Sequence, residues 1–294
     1  MEYGVSLLRN KDYYPEENES IVEKWLKYKE DSTCEDLDTY MQAFYEKFWG
    51  KLVSGTCNRR ETMTSPLVTF EEYASFKGYE WKSKKAHGVN TFIAYMKHKL
   101  QLDGDEFLGK QLCEFLELAT SCCNMLPVPE YFNAGRSGPF AKWDYWDLAL
   151  SQIYKWFEFG KKDNIEGQKD ALRLMFAHST HNYVFANRST NMYDSIKYTE
   201  KWLLDFDGWV DFIKTLYLDS FVDKDNGWKP VKFWKTHSYE LPLPTDTEFD
   251  KDENIKNEQI EKNFSEFFEN VNSMLRRRAQ LLTEAEIQIS IANK

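Results

Sequence analysis

The residues best suited to chemistry lie in the proline-containing segment Asn124–Arg136 and shortly after it. The segment contains two prolines, two asparagines and one arginine, and two aspartates follow at positions 144 and 147. An arginine can bind a carboxylate or a phosphate through two parallel hydrogen bonds, and a nearby aspartate can orient the arginine or act as a base. Five residues are therefore candidates for a polar binding pocket: Asn124, Asn133, Arg136, Asp144 and Asp147.

The same residues also have a purely structural interpretation, which we favour. Asp144 suits the N-cap of a helix, and Asp147, three residues later, imitates a capping box. Arg136 would then pair with Asp144 and fix the loop. Pro127 and Pro129 exclude a continuous helix here and favour extended backbone in the residues before them. Charged and polar side chains also gather in structural ion pairs, so the presence of these residue types alone does not establish a pocket.

Two histidines and two arginines are weaker candidates. His178 and His181 lie three residues apart and could share a metal ion, but they stand in a polar, loop-like stretch without a carboxylate at ligand spacing. The run Arg276–Arg278 lies on a predicted helix, where consecutive side chains point about 100° apart and cannot form one patch. We favour a solvated helix with ion pairs to Glu284 or Glu286. In the alternative, one arginine turns inward against the proline-containing segment.

Motifs support neither a cofactor nor a metal ion. The sequence contains no phosphate-binding G-x-x-x-x-G-K-S/T or G-x-G-x-x-G pattern, and no G-x-S-x-G nucleophile turn. Its five cysteines form no C-x-x-C pair, so we expect no cysteine zinc site. The adjacent Cys122 and Cys123 suit a buried structural role. No catalytic residue is assigned.

Composition favours a helical protein. Hydrophobic residues make up 42% and aromatic residues 16% of the 294 positions, while 13 glycines and 8 prolines are few for a turn-rich β protein. The net charge of −10 disfavours duplex nucleic acid as a partner. The first residues do not resemble a secretory leader, no apolar run reaches the roughly 20 residues of a membrane span, and the number of cysteines is odd. These features predict a cytoplasmic protein with reduced thiols and no membrane association.

Hydrophobic spacing predicts a mainly α-helical protein that forms a single domain over residues 1–294, with a softer part over 1–100. A long C-terminal helix over about 254–292 carries apolar residues at spacings of four and three, and its exposed half could support an oligomer. The stretch Trp228–Trp234 predicts at most a minor β hairpin, because a proline within it restricts it to an edge strand. The polar segment Gly55–Pro66 is interpreted as a loop. Other predicted helices span Asp105–Ser121, Asp144 to about Phe157, Ile165–Ala177, Tyr193–Phe206 and Trp209–Phe221.

Around the proline-containing segment the chain reads N-M-L-P-V-P-E-Y-F-N-A-G-R, followed by D-Y-W-D-L-A-L-S-Q-I-Y-K-W-F. This order resembles a bacterial protein family in which a proline-containing segment precedes Asn-x-x-Arg and an Asp-led helix. The likeness continues through Trp202–Phe212, Leu218–Val222 and Val271–Arg278. It implies a shared fold and no function, because that family has no established activity.

A second likeness concerns Cys122–Pro129 with Asn133, which is similar to the end of His-Asn-His nuclease modules. No histidine stands just upstream, so this likeness implies a catalytically inactive relative. Two classes of function are then compatible with the sequence. We favour a protein that binds a small molecule or a protein partner through Asn124–Arg136. The alternative is a hydrolase-type enzyme with a pocket of Arg136, Asp144 and Asp147, or the inactive nuclease relative.

Overall fold

In the computed structural model, the described residues belong mainly to the second half of the chain. The predicted softer part over residues 1–100 therefore falls largely outside them. The described residues are 45–57, 59–63, 111, 114–115, 118–119, 122–132, 145–176, 183–185, 188–190, 192–233 and 253–292.

These residues are mainly α-helical, as the spacing of apolar residues predicts. The β structure in the described ranges consists of three two-stranded antiparallel sheets, β1–β2, β3–β4 and β5–β6. The helices are α1 (45–53), α2 (Trp146–Gly160), α3 (Ile165–Met175), α4 (Met192–Leu203), α5 (Trp209–Thr215) and α6 (Glu253–Ala292). The strands are β1 (Arg59–Thr62), β2 (Met125–Val128), β3 (Tyr183–Phe185), β4 (Arg188–Thr190), β5 (Val222–Asp223) and β6 (Lys229–Pro230).

The proline-containing segment and the Gly55–Pro66 segment meet in a small sheet. Strand β1 pairs with β2, and Arg60 lies opposite Pro127 in this register. The interpretation of Gly55–Pro66 as a loop is therefore wrong for Arg59–Thr62. A proline is tolerated in β2 because both strands of a two-stranded sheet are edge strands. Strand β6 lies within the predicted hairpin Trp228–Trp234 and pairs with β5.

The N-cap predicted for α2 is wrong. Helix α2 begins at Trp146, and its N-cap is Tyr145, whose side chain makes no capping hydrogen bond. Asp147 is the second residue of the helix, and its Oδ1 atom accepts the N–H of Leu148 at 3.0 Å. The Asp147 carboxylate thus lies within the first turn, where the helix dipole favours a negative charge.

Helix α5 is shorter than predicted, because it ends at Thr215 and does not continue to Phe221. Tyr217 adopts a left-handed φ of 55°. This turn brings the N–H of Leu218 to the carbonyl of Ile213, at 2.8 Å. A left-handed residue followed by a bond of this kind is a Schellman motif, which satisfies carbonyls at a helix end. Helical spacing alone did not predict this stop, because apolar residues continue at similar intervals beyond it.

The chain divides into two compact units, each assembled from separate segments. Unit 1 comprises Met1–Met41, Ser65–Asn124 and Phe233–Lys294, and unit 2 comprises Gln42–Thr64 and Met125–Lys232. The single domain over residues 1–294 stays a prediction, because a domain is defined by cooperative folding as well as by compactness.

The core of unit 1 lies along α6, whose predicted bounds are confirmed. The apolar positions Phe264, Phe267, Phe268 and Val271 are all fully buried. The ring of Phe115 lies 5.5 Å from the ring of Phe267 and 5.6 Å from that of Phe268. Aromatic burial of this kind supplies most of the stabilisation of a helical core.

The core of unit 2 is organised around Phe132, which follows strand β2. Its ring lies 5.4 Å from Trp202 at the end of α4, 6.1 Å from Phe176 after α3, and 6.4 Å from Trp146 at the start of α2. One buried side chain therefore joins three helices to the end of the proline-containing segment. Trp202 also contacts Phe212 of α5 at 5.4 Å, which extends the aromatic cluster to a fourth helix.

Replacing Phe132 with alanine should lower the free energy of unfolding by about 3–5 kcal/mol, because a buried ring with three aromatic neighbours is lost. Urea unfolding followed by tryptophan fluorescence measures the change. Tyr193→Ala is the control, since Tyr193 is exposed and its truncation should change the same free energy by less than about 0.5 kcal/mol. Equal unfolding midpoints for the two variants would contradict this role of Phe132.

Candidate functional site

Asn124, the first candidate residue, belongs to unit 1 and is buried away from solvent. It ends a 3-10 turn over Cys122–Asn124, and its side chain is fully buried. The Nδ2 atom donates a hydrogen bond to the carbonyl oxygen of Ala119 at 2.7 Å. A buried amide must find such partners, so this bond fixes the change of direction that precedes β2. The observed contact is structural, and a ligand would reach Asn124 only by opening the turn.

Arg278 is buried against the turn over Cys122–Asn124, which leads into the proline-containing segment. Its side chain is 0% exposed, and Nη1 donates to the carbonyl oxygen of Cys123 at 2.7 Å. The favoured interpretation of a solvated arginine is therefore wrong for Arg278. Its side chain turns inward, as in the alternative, but its partner is Cys123, one residue before the proline-containing segment. Arg277 is exposed and bonds to Gln280 at 3.0 Å, as expected for a solvated position. Side chains of neighbouring helical residues point about 100° apart, so Arg277 faces solvent while Arg278 faces the core.

Arg276 belongs to a third environment, at the edge of the unit 1 core. Its Nε atom lies 3.3 Å from Oε1 of Glu114 and donates to the carbonyl oxygen of Asn272, also at 3.3 Å. Asn272 is buried, and its Nδ2 atom donates to the carbonyl oxygen of Gln111 at 3.1 Å. These bonds attach α6 to the helical residues around Glu114. They act as polar anchors of a helix pair rather than as an open site.

Replacing Arg278 with alanine should lower the free energy of unfolding by roughly 2–4 kcal/mol, because the Cys123 carbonyl loses its donor and a cavity remains. Arg278→Met keeps most of the apolar volume and should be less destabilising. Arg277→Ala is the matched control and should change the same free energy by less than about 0.5 kcal/mol. Equal losses for the alanine variants at 277 and 278, measured by urea unfolding, would be inconsistent with the buried contact.

Asp147 is the second candidate that the structure describes, and it lies in unit 2. Its side chain is buried and bonds to the adjacent backbone of α2. The other predicted site residues, Asn133, Arg136, Asp144, His178 and His181, lie outside the described residues. Within the described ranges, no group of three or more His, Cys, Asp or Glu side chains could hold a metal ion. Convergence of the candidate residues on one pocket stays a prediction.

Two described cysteines are buried. The thiol of Cys57 is enclosed, and burial raises its pKa well above the ordinary value of 9.0. Cys123 is also buried, and its Sγ donates to the carbonyl oxygen of Leu118 at 3.4 Å. Because the thiolate is the nucleophilic form, a buried thiol with a raised pKa is chemically inert. The predicted structural role of Cys123 agrees with this environment.

Sequence reasoning missed Tyr131, which lies inside the proline-containing segment. Its φ of 66° is left-handed, a conformation that bulky residues rarely adopt and that costs on the order of 1 kcal/mol. Two contacts hold it there. Ser195 Oγ of α4 donates to the Tyr131 carbonyl at 3.0 Å, and the rings of Tyr131 and Tyr198 lie 5.5 Å apart. No sequence pattern signals this residue, because the strain arises from contacts 64 positions away.

Helix α4 carries an exposed face beside this tyrosine. Its buried side comprises Ser195, Thr199, Trp202 and Leu203. The opposite side exposes Tyr193 (72%), Lys197, Lys201 and, just past the helix end, Leu204 (69%). Tyr198 lies between the two sides, with the Lys197 ammonium 5.7 Å from its ring. Residues 193, 197, 200 and 204 follow helical spacing, so two large apolar side chains share one solvent-facing stripe.

A charged cluster stands at the β5–β6 hairpin of unit 2. The ammonium groups of Lys214 and Lys224 lie 2.5 Å and 2.7 Å from the same oxygen of Asp219. They also lie 5.2 Å and 5.3 Å from the ring of Trp228. Partial burial alone would raise the pKa of Asp219, but the two lysine hydrogen bonds outweigh it and hold that pKa below its ordinary value of 3.8.

Asp219→Asn should lower the free energy of unfolding by about 1 kcal/mol near neutral pH, since the lysines are half-exposed and such pairs are weak. A lowered pKa stabilises the fold above the unfolded value, near pH 4, and this contribution is lost as the pH falls through the folded value. The difference between wild type and variant should therefore shrink below about pH 4. Urea unfolding at several pH values tests this. Asp225→Asn, an exposed carboxylate on the same hairpin, is the control.

The chain matches no known protein family, no curated protein and no solved structure. No helix in the described ranges is both long enough and apolar enough to cross a membrane. The likenesses to the bacterial family and to the nuclease module stay hypotheses. A functional assignment has to come from the chemistry of the described residues.

Proposed function

We propose that this protein binds a protein partner through the exposed side of α4 and the adjoining tyrosine of the proline-containing segment. We call this the α4–Tyr131 surface, and it comprises Tyr131, Tyr193, Lys197, Tyr198 and Leu204. The proposal keeps the proline-containing segment as the recognition element. It replaces the buried Asn124 with the half-buried Tyr131 as the residue of this segment that a partner would contact.

The single observation that supports the proposal is the strained, left-handed conformation of Tyr131, which two contacts hold in place. Backbone strain persists where surrounding contacts determine it, and it is concentrated at binding and catalytic sites. Here the Ser195 hydroxyl fixes the carbonyl and Tyr198 fixes the ring. A tyrosine that is ordered before binding loses little conformational entropy when a partner covers it.

The chemistry of the surface favours a protein over other partners. Tyrosine offers a broad apolar face and a polar hydroxyl, and it is enriched at protein interfaces. The surface mixes Lys197 and Lys201 with the half-exposed acids Asp194 and Glu200. That balance lacks the continuous basic stripe that nucleic acid requires. Apolar anchors at both ends of a helical stripe, with charges between them, fit an amphipathic helix of the partner.

The hydrolase alternative has less support from the described residues. It requires Asp147 to face a substrate, whereas the Asp147 side chain is buried and accepts the N–H of Leu148. Its other members, Arg136 and Asp144, lie outside the described residues. We therefore infer a structural role for Asp147 and retain binding as the proposed function.

Site-specific photo-crosslinking in the cells that express the protein tests the proposal. A photoreactive phenylalanine analogue at position 193 or 204 should give one discrete protein adduct on irradiation, because both positions lie within the proposed interface. The matched control is position 165, since Ile165 of α3 is exposed to a similar extent, 63%, on another helix. Adding Lys197→Glu should reduce the adduct at position 193 at least several-fold.

The outcomes are distinct. An adduct at 193 and 204 but not at 165, weakened by Lys197→Glu, supports the α4–Tyr131 surface, and mass spectrometry of the adduct identifies the partner. Equal adducts at 165 and 193 would mean non-specific proximity. Absence of adducts at both 193 and 204 would overturn the proposal.

A further inference from the structure

The stretch that joins α4 to α5, residues 204–211, continues the α4–Tyr131 surface, and we call it the α4–α5 junction. It begins with Leu204, which belongs to that surface. Two of its side chains, Phe206 and Trp209, are buried. Their rings lie 5.0 Å and 5.8 Å from the ring of Phe212. The junction is thus anchored at two points to the core of unit 2, which holds the residues around these anchors in place.

The remaining side chains of the junction face solvent. Leu204 is 69% exposed and Val210 is 44% exposed. Asp205, Asp207 and Asp211 are exposed as well. The same stretch contains no lysine or arginine. The junction therefore presents apolar and negatively charged side chains together.

Neutral donors, rather than cations, contact these carboxylates. Oδ2 of Asp205 accepts a hydrogen bond from the Thr56 hydroxyl. Oδ2 of Asp211 accepts the N–H of Asp207 at 3.0 Å, and its Oδ1 accepts the Thr215 hydroxyl at 3.3 Å. None of the ion pairs within the described ranges involves the three aspartates. Their charge is therefore not compensated by these parts of the protein.

Several other acidic side chains of unit 2 do form ion pairs. Glu158 of α2 lies 2.6 Å from Lys161. On α3, Arg173 lies 2.7 Å from Glu166 and 2.9 Å from Asp170. The junction differs from these surfaces because it offers negative charge to a partner.

We propose that the partner of the α4–Tyr131 surface is an amphipathic helix of another protein whose lysines or arginines lie over the α4–α5 junction. This inference rests on the proposed function and adds the chemistry of the partner. Leu204 and Val210 supply apolar contacts for such a helix. The three carboxylates supply electrostatic complementarity, which steers the encounter and fixes the orientation.

The distribution of charge sets that orientation. Along α4, Asp194 and Glu200 are balanced by Lys197 and Lys201, whereas the junction has acids alone. A partner helix with cations at one end is therefore complementary in only one of its two directions.

Other occupants fit this surface less well. Nucleic acid and anionic membranes would be repelled by the exposed carboxylates. A second copy of this chain carries a net charge of −10 and is also a poor electrostatic match. A basic segment of a different protein matches both the apolar and the charged groups.

Two synthetic peptides test the class of partner. Each has about 18 residues, or about five helical turns, with leucines at alternating spacings of three and four. The half-basic peptide has lysines at the other positions of one half and glutamines in the other half, and the control peptide has glutamines throughout. Fluorescence anisotropy with the full chain should show several-fold tighter binding of the half-basic peptide. Added salt should remove most of this difference.

Asp207→Lys tests the position of the contact. The hydrogen bond of Asp207 uses its backbone N–H, which the substitution retains. The variant should bind the half-basic peptide several-fold more weakly and the control peptide as before. Asp225→Lys makes the same charge change at an exposed position of the β5–β6 hairpin and should retain wild-type affinity. Equal affinities of the two peptides, or equal weakening by the two variants, overturn the basic partner.

Crosslinking of the half-basic peptide tests the orientation. A photoreactive phenylalanine analogue at position 210 should attach to the lysine half, and one at position 193 should attach to the glutamine half. The reverse pattern, or no adduct at either position, overturns the orientation. Adducts in cells at 193 and 204, together with equal affinities of the two peptides, overturn only the basic partner. Absence of those cellular adducts overturns the α4–Tyr131 surface itself.

Discussion

A buried segment that is neither helix nor long strand must find partners for its backbone polar groups, and this constraint shapes the protein around Cys122–Phe132. Each unpaired buried group costs on the order of 1–3 kcal/mol. The Cys123 carbonyl accepts from Arg278, which lies 155 positions away, and the Tyr131 carbonyl accepts from Ser195. Between them, β2 pairs with β1. The segment is thus held by side chains and strands from distant parts of the sequence.

The same constraint explains why residues that appear reactive in sequence are structural in the fold. Asn124, Asp147 and Arg278 are all buried, and each forms a hydrogen bond to a backbone group. Such bonds are the ordinary use of polar side chains inside a protein. The surface that we propose for a partner is instead amphipathic and aromatic, with tyrosines and a leucine around α4. Binding fits this separation of buried polar residues from an aromatic surface better than catalysis does.

The spacing of apolar residues was the most reliable guide to the helices. It predicted α6 to within one residue at its start, because a continuous seam from Phe264 to Leu282 packs against one core. It failed where a helix is ended by a local left-handed turn and where a strand forms by pairing with a distant segment. The left-handed Tyr217 stops α5 early, and β1 forms only because β2 lies beside it. Tyr145 is the N-cap of α2 although Asp144 is the better capping residue by type.

The sequence by itself determined that the protein is mainly helical, where its long C-terminal helix runs, and that the proline-containing segment interrupts the helices. These properties depend on local spacing and on backbone restrictions that each residue carries with it. Only the tertiary structure decided that Arg278 is buried beside the exposed Arg277, and that Tyr131 is held in a strained turn. Burial and strain are set by contacts between positions far apart in the chain. Local residue types do not determine which distant residue makes such a contact.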